Sequence, residues 1–264
     1  MKYTHSLYLT VATLAAVCVS TTVRADDPAP VTPPAPPKWQ SSAAAGLTLT
    51  RGNSDTLLAT LSLLTGKKWA ENELSFGVDG TYGQTKQTIN NGGTKTTVNQ
   101  TTAQSLHGFA QYNRLFTERW YGYARVEGLH DEVADIKYRV TLSPGIGYYF
   151  IKNKTTDLSA EAGPGYVIQK LGNDSSSYLT LRFGEKLHHA LSDRARIWQS
   201  AEFLPKVDDF NNYIINFEIG IEADLSASKK MSLRTYLTDT YNNVPATGRE
   251  KNDAKLVAAI AYKF

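Results

Sequence analysis

Cysteine is all but missing, with Cys18 the one thiol among 264 residues. A disulfide framework and a metal centre built on several thiolates are therefore excluded. Charge of one sign is missing as well, since 28 Lys and Arg face 25 Asp and Glu. A chain that holds nucleic acid by neutralising phosphates needs a basic excess or a dense basic patch, so that class is excluded too. Beyond the first 25 residues no apolar run reaches the length of a membrane-spanning helix, which is about 20 residues. Sustained helical periodicity is also lacking from Trp39 onward, and without it a helical domain has no amphipathic face to bury.

What the chain does have is alternation. In the last twelve residues Leu256, Ala258, Ile260, Tyr262 and Phe264 are apolar, with Lys255 and Lys263 between them. The pattern is clearest at 213–225: Ile215, Phe217, Ile219, Ile221 and Ala223 fall on one face, and Asn216, Glu218, Gly220, Glu222 and Asp224 on the other. A slip of one residue would exchange the faces and drive three carboxylates into the apolar side, so the register is strongly specified. Leu179, Leu181, Phe183 and Leu187 alternate in the same way with Thr180, Arg182, Lys186 and His188, and Glu185 breaks the pattern. An average of 41% hydrophobic residues does not exclude a membrane, because a barrel spreads its apolar residues over alternate positions.

The start of the chain reads as an export signal. Residues 1–25 carry Lys2, an apolar run from Leu7 to Val19 and small residues up to Ala25, which predicts cleavage after Ala25. Val17 before Cys18 disfavours lipidation, so the thiol leaves with the signal. Lys2 and Arg24 leave with it, and the mature chain keeps 26 basic against 25 acidic residues. Residues 26–38 hold Pro28, Pro30, Pro33, Pro34, Pro36 and Pro37 and read as an extended leader outside the folded domain, which spans 39–264.

That domain divides into about twelve alternating segments, ten or fourteen remaining open, centred on 43–51, 56–69, 73–83, 103–115, 120–130, 138–151, 157–171, 178–191, 195–205, 213–225, 231–242 and 253–264. Their lengths suit a closed antiparallel up-and-down transmembrane β-barrel, whose tilted strands need about 9–11 residues. Connectors after even strands are short, and those after odd strands are mostly longer and polar, above all 84–102. Short periplasmic turns and longer external loops are the expected arrangement. Trp39, Trp69, Trp120, Phe150, Trp198, Tyr262 and Phe264 are assigned to a periplasmic aromatic girdle. Tyr82, Tyr138, Tyr166, Tyr178 and Tyr213 are assigned to an external one, because amphipathic rings prefer the headgroup level.

The stretch Gly46-Leu47-Thr48-Leu49-Thr50-Arg51-Gly52-Asn53-Ser54-Asp55, with Trp120-Tyr121-Gly122-Tyr123-Ala124-Arg125-Val126-Glu127-Gly128 and Ser143-Pro144-Gly145-Ile146-Gly147-Tyr148-Tyr149, resembles a family of salt-induced outer-membrane proteins built on a domain of unknown function. The resemblance covers essentially everything after the leader. It implies an outer-membrane barrel of a Gram-negative type of cell and a link to salt or envelope stress. It brings no substrate and no catalytic residues.

About twelve strands close into a cylinder roughly 24 Å across at the backbone. The predicted lining comprises Asp79, Arg125, Glu127, Arg139, Glu161 and Arg182, followed by Lys186, Arg196, Glu202, Glu218, Glu222 and Arg234. If these charges pair across the interior they plug it; if opposed rows stay wet they form a narrow pore for small ionic or polar solutes. The leading reading is a weakly selective passive pore, with the carboxylates Glu218, Glu222 and Asp224 favouring cations. A non-conducting structural or interaction barrel is the alternative, and an outer-membrane hydrolase the third. His107, His130, His188 and His189 are available as bases, but no nucleophile motif accompanies them. The hard ligands His130, Asp131, Glu132 and Asp135, or Asp208 and Asp209, are explained equally well by solvated loops, so no cofactor or metal is expected. The expected partners are outer-membrane lipid and lipopolysaccharide, and the barrel-assembly machinery through the last strand, with no nucleic acid.

Overall fold

The computed structural model describes residues 38–50, 54–91 and 94–264. The expected signal peptide and nearly all of the expected Pro-rich leader lie outside the described residues. Twelve strands follow in chain order: β1 (Gln40–Thr50), β2 (Ser54–Lys68), β3 (Asn72–Asn91), β4 (Thr94–Leu115), β5 (Trp120–Asp131), β6 (Ile136–Lys152), β7 (Thr156–Leu171), β8 (Asp174–Ala190), β9 (Ala195–Lys206), β10 (Asp209–Asp224), β11 (Met231–Asn242) and β12 (Asn252–Lys263). Each pairs with its sequence neighbours and β1 pairs with β12, so the sheet is a closed antiparallel up-and-down barrel. Closure matters because it leaves no edge strand with a row of unpaired N–H and C=O groups.

The alternation sorts residues between two faces, and the sorting is the reverse of a soluble sandwich. Ile219, Ile221, Phe183, Leu142 and Leu61 are exposed on the outside, whereas Arg182 and Glu161 keep only 2% and 4% of their surface. Apolar rows do not meet one another in a central core. A small inward apolar patch exists where Ala44, Val257, Ala259 and Ala261 pack with Tyr236, and apart from Tyr236 its side chains are short.

The connections depart from expectation at one end. Instead of a loop at 84–102, β3 runs to Asn91 and β4 starts at Thr94. The Thr and Gln residues there pair in register, Thr85 with Gln100 and Thr88 with Thr97, as β-branched chains can. The connectors expected at 172–177 and 207–212 shrink to two residues each, because β8 begins at Asp174 and β10 at Asp209. Gly172 permits the first of these turns with φ of 55°, a left-handed conformation in which a Cβ is strained.

One point of the wall is bare of ladder bonds. Between the pairs Leu142↔Tyr166 and Ile146↔Ala162 the register sets Pro144 opposite Pro164, and neither has an N–H to give. The strands come close there: a Cβ on Gly163 would collide with the backbone oxygen of Pro144. Gly163→Ala is therefore expected to lower the unfolding free energy by about 1–3 kcal/mol, since the clash is with backbone and no side chain can yield. Gly128, around which a Cβ would meet nothing within 4 Å, is the control, and Gly128→Ala should stay within about 0.5 kcal/mol. Denaturant unfolding of the refolded barrel separates the two; equal stabilities would mean that the β6–β7 seam is not tight.

Candidate functional site

The inward face is the part of the molecule with chemistry, and its charges fall into three groups. The first is a dry knot centred on Glu161 of β7. Its carboxylate accepts hydrogen bonds from Gln111 Nε2 at 2.7 Å, Tyr121 Oη at 3.1 Å, Arg182 Nη1 at 2.8 Å and Lys186 Nζ at 3.2 Å. Arg182 also donates to Glu202 through Nε. Side chains from β4, β5 and β8 thus converge on β7, and the Glu161 and Arg182 side chains are 2% and 3% exposed. Removing one member of so buried a set strands the rest and typically costs about 3–5 kcal/mol.

The second group is wet. His107 of β4 sits between two carboxylates, with Nδ1 2.8 Å from Asp79 Oδ1 and Nε2 2.9 Å from Glu127 Oε1. An ionised carboxylate only accepts, so both ring nitrogens donate and the ring is an imidazolium. Arg125 holds the other oxygen of Glu127 at 2.9 Å from its Nε. Asp79, although inward, keeps 49% of its side chain open. Across the barrel on β10, Glu218 accepts from Trp198 Nε1 and faces the charges of Asp79, His107 and Arg234. Among the described residues Glu218 is in no salt bridge, so it is the carboxylate here whose charge is left uncompensated by direct contact.

The third group lies at the barrel end that holds Gln40 and Phe264. Glu222 meets Arg196 Nη2, Arg234 Nε at 2.9 Å and Lys263 Nζ at 2.8 Å; Asp224 meets Arg196 and Lys263 at 2.9 Å each. Two acids are held by three bases, so Glu222 and Asp224 offer no negative field to a passing ion. That part of the case for cation preference is corrected: pairing across strands, invisible along β10 itself, neutralises them. Arg234 continues over β12 to Ser42 Oγ at 3.1 Å.

By strand register the twelve charged candidates share the face that carries Glu161 and Arg182. Arg139 stands apart from the three groups, giving its Nε to Gln169 Oε1 at 2.8 Å. Of the aromatic assignments, Trp39, Trp69, Trp120, Phe150, Tyr262 and Phe264 are exposed, as are Tyr82, Tyr138 and Tyr166. Tyr213 packs outside against Phe203 and Tyr241. Trp198 and Tyr178 are corrections. Trp198 is turned inward onto Glu218 and Tyr236, and Tyr178 lies inward under the Lys206 ammonium. The signal for both was present: Trp198 shares strand parity with Arg196 and Glu202, and Tyr178 with Arg182 and Lys186. Gln111, the neutral member of the knot, was missed although it shares parity with His107. The loop acids are otherwise engaged, since Lys137 Nζ lies 3.1 Å from Glu132 and 3.3 Å from Asp135, and Lys206 is 3.2 Å from Asp208. His189 Nδ1 pairs with Thr156 Oγ1 at 2.8 Å.

No curated protein matches the chain significantly. Among solved structures, it is similar to the NanC porin at 9% identity and a TM-score of 0.48, over 85% of this chain and 98% of that one. It is similar to the COG4313 outer membrane channel from Pseudomonas putida F1 at 11% identity and a TM-score of 0.47, over 86% and 95%. It is also similar to the translocator domain of the autotransporter NalP from Neisseria meningitidis at 13% identity and a TM-score of 0.43, over 86% and 87%. The family described as "Protein of unknown function, DUF481" matches residues 43–264, and the chain belongs to that family.

Proposed function

We propose that this barrel spans the outer membrane and passes small ions through a narrow, off-centre aqueous path. The membrane part rests on the outer face, where rows of Leu, Ile, Val and Phe meet the surroundings while most strand Arg, Lys, Asp and Glu turn in, Glu185 and Asp239 being outward. Only lipid makes that arrangement favourable, since an apolar wall of this extent in water would aggregate.

The pore part is carried by Asp79. An inward carboxylate that keeps 49% of its side chain open needs water beside it, because a dry, plugged interior would bury the charge at a cost of several kcal/mol. Water therefore follows β3 and the facing β10, while the Glu161 knot fills the β4–β8 side. At the narrow level Asp79, Glu127 and Glu218 face His107 and Arg125, and Arg234, which also serves Glu222, is the next cation in reach, so the negative excess is slight. The path prefers cations weakly, through Asp79 and Glu218. The second reading, a non-conducting barrel, is favoured by the knot if it extends across the whole section.

Two measurements test this. Planar-bilayer recordings of the refolded barrel under a salt gradient should give small steps with a cation-selective reversal potential. Asp79→Asn with Glu218→Gln should cut the cation-to-anion permeability ratio roughly twofold or more by removing the unbalanced field, while Glu222→Gln should not reduce it. A folded barrel that gives no steps selects the non-conducting reading. For the membrane itself, Ile219→Lys on the outer face should cost about 2–4 kcal/mol of stability in lipid if the site is near the midplane; a change within about 0.5 kcal/mol would remove the lipid-facing assignment.

A further inference from the structure

At the end opposite Gln40 and Phe264, the external one on the membrane reading, residues 243–251 join β11 to β12 and form the longest connection among the described residues. They do not stand straight out into solvent. Val244, Pro245 and Ala246 line one side of a hollow of about 470 Å³, and Asp135, Leu171 and Ser176 line the other, from the β5–β6 turn and the β7–β8 hairpin. Leu171 has the strand parity of Glu161, and Ser176 is in register with Gln169, which has that parity too. Both therefore lie on the inner side of their hairpin, and the hollow is on the lumen side of the wall. The β9–β10 hairpin stands between them and β11 in the ring. A loop rooted on β11 and β12 that faces the inner side of β7 and β8 must pass over the mouth.

The loop is held at its root and at its tip. Asn243 gives its backbone N–H to Tyr213 O at 3.0 Å and its side-chain amide to Asn211 O, which leans the outgoing limb over β10. Lys251 Nζ returns to Asn243 Oδ1 at 2.9 Å. Near the tip the N–H of Arg249 closes a turn on Ala246 O at 3.0 Å, Gly248 supplies a φ of 79°, and Ala246 keeps only 7% of its surface. Ile214, in register with Asn242 at the root, and Leu204, its partner on β9, are inward and buried. Apolar side chains so near an aqueous end stay dry when something roofs them, and the loop runs where that roof is needed.

A second crossing lies at the foot of the loop. Lys255 shares the inward parity of Val257, and its Nζ is 4.0 Å from Asp131 Oδ2 at the end of β5. Strands β1–β4 separate β12 from β5 on one side of the ring and β6–β11 on the other, so this pair spans the opening. We infer that the loop and the ion pair form a strap across the external mouth. It roofs the β6–β11 side and leaves the entrance beside β1–β4, the side on which Asp79 lies. The strap thus sets the largest solute that enters the path. A partly exposed ion pair contributes little by itself, so the seat of Ala246 is the stronger hold.

The role in passage rests on the pore reading above, whereas the covering role does not, and the test separates them. In a Cys18→Ser background, Ile214→Cys places a thiol under the strap, and heat-modifiable gel mobility confirms that each refolded barrel is folded. Two changes release the strap. One replaces residues 244–249 by an Asn-Gly turn; the other is Ala246→Asp, which sets a carboxylate into a seat already lined by Asp135 and Asp174. Each should raise the rate at which a charged, water-soluble methanethiosulfonate labels the thiol roughly tenfold or more. Each should also raise the single-channel conductance and the size of the largest polyethylene glycol that enters. An unchanged labelling rate in a folded, released barrel overturns the strap whether or not the barrel conducts. Faster labelling with unchanged conductance in a conducting barrel overturns its role at the entrance. Faster labelling when neither parent nor released barrel conducts upholds the cover and removes the pore reading.

Discussion

Closure of the hydrogen-bonded ladder is the constraint from which the rest of this molecule follows. Once β1 meets β12, every side chain has one of two destinations, and neighbours along a strand must take opposite ones. Turns and glycines adjust the course of the chain but cannot alter that division. The cost of placing charge on the wrong side then decides which face is inside. The one outward carboxylate in the middle of β8, Glu185, is tolerated because Gln199 is there to bond it.

Confining the charges to a narrow interior forces them to pair, and the pairing is uneven around the wall. On the β4–β8 side, long residues lean together until Glu161 has four donors and almost no exposed surface. On the β3 and β10 sides the lining is sparser, and Asp79 stays open although His107 holds it. The difference comes from stoichiometry. Glu161, Glu202, Arg182 and Lys186 balance within reach of each other, whereas at the level of Asp79 and Glu218 the acids exceed the bases. An enclosed excess charge holds water, and that is the physical origin of the proposed path.

Much of this was legible in the residues. The strand count, the closed barrel and the inward direction of all twelve charged candidates follow from a period of two, which is read along one strand. What was not legible depends on neighbours in space. Whether Glu222 carries a free charge is decided by Arg196, Arg234 and Lys263, which come from three other strands whose register no single segment reveals. Trp198 and Tyr178 were assigned by residue type, because aromatics suit a membrane rim. Parity, the stronger rule, placed both inside. The segment 84–102 was taken as a loop on its Asn, Thr and Gly content, yet Thr pairs well in a ladder, so composition alone could not tell an extended hairpin from a flexible connection.

The charge cluster at the terminal end makes sense as a clasp for the closing seam. Among the described residues Ser42, Ala43, Ala44 and Ala45 of β1 are in register with β12 and Ser41 exchanges backbone bonds with Phe264, far fewer pairs than join β2 to β3, so the seam is the joint of the described cylinder with the fewest ladder bonds. Arg234 on β11 spans it, holding Glu222 with Nε and Ser42 with Nη2. It can cross β12 because the inward residues beneath it, Ala259 and Ala261, are short. Lys263, at the end of β12, is held in turn by Glu222 and Asp224 of β10. The short inward row on β12 and the cation-rich cluster beside it thus belong to one device: alanines leave the space, and ion pairs reach over it to fasten the last strand to the first.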